Sequence, residues 1–291
     1  MQHHFPFRAA RILPLAAALT GLAQTVSALS IKSFYPANGA TGQCLDTPLR
    51  MVLSGNAVLN WNGSVRIRNA ATNSVVKTWA VTSNPGDPQT VTTAGANWPW
   101  KDSVGVTYRN VWPVVLDSIP EYLAEVRVPQ HLLQPNTQYQ VELDAGMLKG
   151  SDGSAFSGVA AGAWKFTTKA SPAANSQVVV AQDNSGDVCS VQGGLDLVPS
   201  GSKTAVQVLV KPGYYREMLA AKNKNNLRLY GAGVGKTFIR YMNCNNLNTT
   251  GSSDRNLALL GGNGMQIRAM SIINTVSVTG GQAGGRTWMG G

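Results

Sequence analysis

The sequence has few of the residues that metal sites and most hydrolytic centres require. It has three histidines, of which only His131 lies beyond the first four residues, and three cysteines with no Cys-x-x-Cys spacing. This scarcity argues against a zinc site, which needs clustered Cys and His ligands. Because no G-x-S-x-G motif is present either, a Ser-His-Asp hydrolase is excluded. We therefore expect no metal in this protein.

The sequence also lacks a phosphate-binding loop, although residues 231–237 resemble the P-loop pattern. Only three residues separate Gly231 from Gly235, where the P-loop pattern requires four. Residues 238–241, which follow, have the composition of a strand rather than of the helix whose N-terminus would hold the phosphate. Nucleotide binding is therefore not expected.

Acidic residues are fewer than basic ones. The sequence has 14 Asp and Glu and 24 Lys and Arg, which gives a net charge of +10. The excess is concentrated in residues 171–291, which carry 11 basic and 5 acidic side chains. Such a distribution favours a polyanionic partner, although solvated charges on a generally basic secreted protein would give the same count. No nucleic-acid-binding module accompanies the charge, so nucleic acid is not the expected partner.

Long hydrophobic runs are confined to the N-terminus. Arg8 and Arg11 form a basic segment that precedes an apolar stretch at residues 12–23. The small residues 26–28 form a typical cleavage site. Residues 1–28 are therefore predicted to be a signal peptide, and the protein is expected to be secreted, extracellular or periplasmic. No second stretch of spanning length follows, so we expect no membrane insertion after signal cleavage.

The three cysteines, Cys44, Cys189 and Cys244, are an odd number in a compartment that favours disulfides. A bridge between Cys189 and Cys244 is one interpretation, and three separate buried thiols is another. Spacing alone does not define the connectivity, so the pairing stays open at this point.

Short alternating strands separated by turn residues fill residues 29–168. The predicted strands are residues 49–53, 64–67, 75–81, 90–93, 124–128, 139–143 and 163–167. Turn pairs such as Asn62-Gly63 lie between them, and the spacing predicts a β-sandwich. Residues 35–42 and 164–168 resemble the opening and closing segments of bacterial immunoglobulin-like modules, which implies an immunoglobulin-like β-sandwich.

Aromatic residues gather in the middle of this first domain. They are Trp98, Trp100, Tyr108, Trp112 and Tyr122. Such side chains either stack on sugar rings or anchor loops and fill a core, and core packing is the commoner role. Carbohydrate binding by this domain is therefore the alternative interpretation.

The second domain, residues 178–291, follows a small-residue linker at 169–177. Its strand-like runs at residues 205–217, 227–231 and 237–241 have no helical pattern between them, which excludes βαβ units. Strands this short and close together are typical of the successive faces of a parallel β-helix.

One helix is predicted at the start of this domain, with Asp187 as its N-cap. Its apolar positions share one face, namely Val191, Leu195 and Val198. Such a helix would cover the open end of the stacked strands. Gly193 and Gly194 lie inside it, and since each costs about 1 kcal/mol relative to Ala, we expect them to weaken the helix.

Residues 208–217 (VLVKPGYYRE) resemble the N-terminal signature of the pectinesterases, or pectin methylesterases. Residues 180–187 (VAQDNSGD) and 229–239 (LYGAGVGKTFI) resemble neighbouring motifs of that family in the same order and spacing. The resemblance extends over residues 177–282. It implies that the all-β chain ends in a right-handed parallel β-helix with one N-terminal capping helix, and we expect this β-helix to be incomplete.

The resemblance also implies a chemistry, namely hydrolysis of the methyl esters of galacturonate in pectin without a cofactor. In the family one aspartate attacks and a second acts as general acid and base. The resemblance implies that Gln282 stabilises the oxyanion and that Ser252 contacts the substrate. No Asp or Glu follows Asp254, so the nucleophile and general acid have no counterpart here. We expect a truncated or frameshifted member that hydrolyses no pectin ester alone.

Two other functions remain as alternatives. One is a non-catalytic protein that binds pectin or polygalacturonate through its basic second domain. The other is a non-functional fragment with an unpaired strand edge.

The acids near the start of the second domain are expected to be structural, namely Asp183, Asp187, Asp196 and Glu217.

Overall fold

The computed structural model describes ten stretches of the chain, namely residues 27–60, 62–81, 89–90, 110–111, 114–128, 132–172, 176–221, 223–242, 257–275 and 288–289. Several sequence predictions lie outside them: residues 1–26 of the signal peptide, Trp98, Trp100, Tyr108, Trp112, His131, Cys244, Ser252 and Gln282. Within the described residues the protein consists of strands and one short helix, so the all-β prediction is confirmed.

The first part of the chain forms short strands, as its alternating pattern predicts. They are β1 (Ile31–Tyr35), β2 (Ala40–Gln43), β3 (Leu49–Leu53), β4 (Ala57–Leu59), β5 (Ser64–Asn69), β6 (Val75–Ala80), β7 (Gln89–Thr90), β8 (Asn110–Val111), β9 (Val115–Asp117), β10 (Leu123–Val126), β11 (Gln138–Leu143), β12 (Leu148–Gly150) and β13 (Lys165–Thr168). The sequence pattern missed the shortest of these, including β4, β9 and β12, because three residues are too few to establish a period.

Two larger sheets make up this part. One has the order β1-β3-β10-β9 and is antiparallel, and the other has the order β2-β13-β11-β5-β6. Both supply side chains to one hydrophobic core, for example Met51 and Val126 from the first sheet and Ile67, Val141 and Phe166 from the second. Strands such as β3 and β5 alternate between buried and less buried residues, as expected where two sheets pack face to face. Its classification as immunoglobulin-like stays a prediction.

The second part begins with strand β14 (Gln177–Val180) and helix α1 (Val191–Leu197). Its further strands are β15 (Val206–Val210), β16 (Gly213–Tyr215), β17 (Leu219–Ala221), β18 (Leu227–Gly231), β19 (Thr237–Tyr241), β20 (Ala258–Leu260), β21 (Gln266–Arg268), β22 (Ser271–Asn274) and β23 (Trp288–Met289). The run at residues 205–217 thus contains β15 and β16, and Pro212-Gly213 lies between them.

These strands stack into three parallel sheets, as the β-helix prediction requires. The first has the order β14-β15-β18-β21, the second contains β16-β19-β22, and the third pairs β17 with β20. Equivalent residues of successive coils are direct neighbours, so that Val208 pairs with Leu229 and Ile239 with Ile272. Their inward side chains form the core of the β-helix.

Helix α1 packs against the first coil, and its predicted apolar face is confirmed, since Val191, Leu195 and Val198 are all buried. The predicted N-cap is wrong. The cap is Ser190, whose hydroxyl accepts a hydrogen bond from the N–H of Gly193 at 2.9 Å. The helix starts later than predicted because Asp187 instead accepts a bond from the N–H of Val179 at 2.7 Å and stabilises β14.

The two helix glycines have a packing role that the sequence did not indicate. A Cβ atom on Gly194 would lie 2.8 Å from Cγ2 of Val180 and 2.9 Å from Cγ1 of Val208. A Cβ on Gly193 would collide with the carboxylate of Asp46. The expected cost in helix propensity is not tested, but these glycines also allow α1 to approach its neighbours closely.

Replacing Gly194 with Ala is expected to lower the free energy of unfolding by about 1–3 kcal/mol, because the added methyl group overpacks the core. If helix propensity decided the outcome, the same change would instead raise it by about 1 kcal/mol. Chemical denaturation distinguishes the two signs. Gly55→Ala is the matched control, since no atom lies within 4 Å of its Cβ position and its stability should be almost unchanged.

Candidate functional site

The two parts of the chain contact each other at the start of the β-helix. Cys44 of the first part is disulfide-bonded to Cys189, 145 residues later. The hydroxyl of Tyr35 donates to the carbonyl of Gln182 and accepts from Nδ2 of Asn184 at 2.7 Å. Burial raises the pKa of Tyr35 to about 12, so its hydroxyl stays protonated and able to donate.

This disulfide answers the question that the cysteine count left open. Cys44 and Cys189 are neither separate thiols nor available to Cys244, so both sequence interpretations are wrong for this pair. Among the described residues, Asp46 and these two cysteines are the group of potential ligands close enough to hold a metal. Because the two sulfur atoms are bonded to each other, they are not free thiolates and do not form a metal site.

Two buried carboxylates hold the N-terminus of α1. Asp46, from the first part, accepts hydrogen bonds from the N–H and hydroxyl of Ser190 at 2.8 and 2.6 Å. Glu217 accepts from the N–H groups of Val191 and Gln192 at 2.8 and 3.0 Å. These bonds satisfy N–H groups that have no partner inside the helix, and negative charge is favourable at a helix N-terminus.

Burial has the same effect on both carboxyl groups, since it raises the pKa of Asp46 and of Glu217 above the ordinary carboxyl value. The bonds from Ser190 oppose this rise at Asp46, and the guanidinium of Arg127, 3.5 Å away, opposes it at Glu217. Both carboxylates bond to the N-terminus of the helix, and Glu217 also pairs with Arg127. The prediction of a structural role therefore fits the geometry of Glu217.

Asp46→Asn is expected to lower the free energy of unfolding by about 2–3 kcal/mol, because an amide NH₂ would face donors that now bond to a carboxylate oxygen. Urea denaturation measures the loss. The control is Asp152→Asn, an exposed carboxylate that bonds only within its own turn, to the N–H of Ser154 at 2.9 Å. Equal midpoints for Asp46→Asn and the unaltered protein would contradict the proposed cap.

A network of ion pairs lies beside this helix, again between the two parts of the chain. Arg216 contacts Asp117 at 2.8 Å and Glu125 at 3.4 Å, and its side chain is only 3% exposed. Glu125 also pairs with Arg50 at 2.7 Å, and Asp117 with Arg240 at 3.4 Å. The acids belong to the first part, and Arg216 and Arg240 to the β-helix.

A cavity of about 450 Å³ adjoins this network, between the two parts. Its apolar lining consists of Val58, Leu59, Val114, Val115, Leu116, Tyr241 and Met242, and its polar lining of Asp117, Arg216, Arg240 and Thr275. The volume and the few converging polar groups are typical of small-molecule sites, which are frequent at domain interfaces. This cavity is the candidate functional site.

Arg240 keeps hydrogen-bonding capacity in this cavity. Its guanidinium contacts Asp117 at 3.4 Å and lies 5.9 Å from the ring centre of Tyr214. Arg216 has more partners, since its N–H groups also donate to the carbonyls of Tyr214 and Ile119 at 3.2 and 2.7 Å. A guanidinium has five N–H donors, so Arg240 is able to bind an anionic group that enters the cavity.

Two residues that line this cavity end described stretches of the chain and precede, in sequence, the residues predicted from the family motif. Met242 and Thr275 line it, and each immediately follows a strand of the second sheet, β19 or β22. Residues 243–256, which include Ser252, follow Met242, and residues 276–287, which include Gln282, follow Thr275. Both residues lie outside the described stretches, so neither position is tested.

Comparison with known families bears on the same part of the chain. The family model described as "Pectinesterase" matches residues 177–285. This segment is similar to the pectinesterase family. The match begins at β14 and includes α1 and all the described coils of the β-helix up to β22, so the recognition made from short motifs is confirmed for this region.

Two curated proteins of Arabidopsis thaliana are similar to part of it. "Pectinesterase 4" is 39% identical over 64 residues, which are 22% of this chain and 11% of that protein. "Putative pectinesterase/pectinesterase inhibitor 26" is 36% identical over 99 residues, 34% of this chain and 10% of that protein. The chain thus spans about a tenth of the length of these pectinesterase relatives.

A solved structure, CopC from Methylosinus trichosporium OB3b, covers 49% of this chain and 94% of its own length, with a TM-score of 0.27 and 10% identity. A likeness this low supports no conclusion. The described part of the chain contains no helix with the length and hydrophobicity of a membrane span.

Of the aromatic cluster, Tyr122 is described. It is 43% exposed and lines a smaller cavity of about 190 Å³ together with Leu53, Leu116 and Leu123. The other four aromatic residues lie outside the described stretches, so sugar stacking by this cluster stays a prediction.

Proposed function

We propose that the protein acts on pectin as a secreted member of the pectinesterase family, and that it needs no cofactor. The observation that carries this proposal is the family match over residues 177–285. In this proposal Gln282 stabilises the oxyanion and Ser252 contacts the sugar, as the family resemblance implies.

We further propose that these 291 residues bind pectin but do not hydrolyse its esters unaided. Among the described residues that line the cavity, Asp117 is the one carboxylate, and it is paired with both Arg216 and Arg240. A carboxylate held by two guanidinium groups is a poor nucleophile and a poor general acid, because both roles require a group free to react.

The direct test is release of methanol from highly methyl-esterified pectin by the purified protein. We expect no turnover above the rate without protein. A rate that rises in proportion to the protein concentration would overturn the proposal that this chain lacks catalysis. If such turnover occurs, Gln282→Ala tests the oxyanion role of Gln282. Losing an oxyanion donor lowers kcat by about 100-fold or more.

The charge distribution favours the binding without hydrolysis that is proposed above. Residues 171–291 carry 11 basic and 5 acidic side chains, which attract a polyuronate over long range. Co-sedimentation with polygalacturonate should therefore detect binding at low salt and lose most of it as salt shortens the range of the attraction. Absence of binding at every salt concentration would count against both functions.

A further inference from the structure

The first sheet of the β-helix presents an ordered outer face that the cavity does not include. Along its strands β14, β15, β18 and β21, side chains alternate between the core and the outside. The register places Gln177, Gln207, Arg228 and Gln266 in one outward row. A second outward row contains Val179, Leu209, Tyr230 and Arg268.

The last two strands give this face four neighbouring side chains, Arg228, Tyr230, Gln266 and Arg268, which we call the outer patch. Arg228 pairs with Gln266, and Tyr230 with Arg268. Arg228 and Arg268 therefore lie on a diagonal. One rung spacing of about 4.8 Å and a two-residue step of about 6.6 Å place their Cα atoms about 8 Å apart.

The two arginines of the outer patch are free to bind an anion. Within the described stretches neither Arg228 nor Arg268 has a side-chain hydrogen bond, an ion pair or a ring contact. The strands of this sheet contain no Asp or Glu that could neutralise them. Each guanidinium can therefore offer two parallel N–H donors to a carboxylate.

An oriented aromatic ring lies between the two charges. Tyr230 is half-buried, and its hydroxyl contacts Oε1 of Gln266 at 2.6 Å, which fixes the ring on the sheet surface. A ring held in this way offers an apolar contact for the C–H groups of a sugar at little cost in side-chain entropy. The patch thus combines one sugar-sized apolar contact with two carboxylate receptors.

We propose that the outer patch is a second binding site, separate from the interdomain cavity, for the carboxylate-bearing sugars of demethylated pectin. Tyr230 contacts a sugar ring, while Arg228 and Arg268 each bind a carboxylate of the same polymer strand. The identity of the polymer rests on the proposed function. The preference for free carboxylates over methyl esters does not, because it follows from the two unpaired guanidinium groups.

The test is binding of the full chain to polygalacturonate by isothermal titration at low salt. Arg228→Gln/Arg268→Gln is expected to weaken binding about tenfold, the sum of two carboxylate contacts at a surface. The matched control Lys77→Gln/Lys149→Gln removes the same charge from the first part of the chain, on β6 and β12, and should change the affinity less than about twofold. Equal losses in the two variants would reduce the effect to overall charge and overturn the site.

Two further arms separate this site from the cavity and from the proposed function. Tyr230→Ala should weaken binding and Tyr230→Phe should preserve most of it, and unchanged affinity for Tyr230→Ala would overturn the sugar contact. Fully methyl-esterified pectin should not compete for the patch, and equal affinity for it would also overturn the site.

If Arg240→Gln weakens binding while Arg228→Gln/Arg268→Gln does not, the outer patch fails and the cavity stands. If the unaltered chain binds neither polymer, the proposed function fails as well.

Discussion

The double substitution Cys44→Ser/Cys189→Ser is expected to lower the free energy of unfolding by about 4 kcal/mol. The bridge closes a loop of 145 residues, and the unfolded chain gains the corresponding conformational entropy when that loop opens. The chain-entropy relation gives about 5 kcal/mol for a loop of this size, and measured values are typically somewhat lower. Urea denaturation of both proteins without reductant measures the difference.

The double substitution is preferable to a single one, because a lone Cys189 would be free to react with Cys244. Cys244→Ser is the matched control, since it leaves both partners of the bridge in place. Peptide mapping without reduction should find Cys44 linked to Cys189 in this control and in the unaltered protein. A Cys189–Cys244 linkage, or equal stabilities for the double variant and the control, would contradict the structural assignment.

Arg216→Met is expected to lower the free energy of unfolding by about 3–4 kcal/mol. The guanidinium is 3% exposed and contacts two carboxylates, Asp117 at 2.8 Å and Glu125 at 3.4 Å, whose side chains are 9% and 5% exposed. Methionine retains much of the volume, so the loss reports the removed charge rather than a cavity. Without Arg216, Glu125 still pairs with Arg50 and Asp117 with Arg240. The expected loss therefore stays below the upper limit for breaking a buried ion pair.

The matched control for this prediction is Arg66→Met. Arg66 also pairs with two carboxylates, Glu142 and Asp144, but its side chain is 26% exposed. Solvent screens such a pair, so the expected loss is about 1 kcal/mol. Both variants are compared by chemical denaturation at neutral pH. Similar losses for Arg216→Met and Arg66→Met would show that burial at the interface does not set the strength of this network.

Much of the fold could be predicted from the sequence because its signals are local. The period-2 pattern of residues 205–210 determines which face of β15 is buried, and the turn residues Pro212-Gly213 separate β15 from β16. The spacing between successive runs then determines that equivalent strands stack in parallel. The apolar face of α1 was predicted in the same way.

The candidate site could be predicted only in part. The family motif supplied Ser252 and Gln282, and both lie outside the described stretches. The cavity, by contrast, is formed by residues such as Val58, Asp117 and Arg240, which no local pattern brings together. Arg216 belongs to a strong sequence motif, yet the motif gives no indication that its partners lie about a hundred residues earlier.

The sequence by itself determined many of the strands, the stacking of the second part and its similarity to the pectinesterases. These depend on hydrophobic period, turn residues and motif order over a few tens of residues. Only the tertiary structure decided that Ser190 and Asp46 cap α1, that Gly194 is required for close packing, and that Cys44 pairs with Cys189. Each of these depends on which distant surfaces meet, and the free energy of such contacts has no counterpart in the local pattern of the chain.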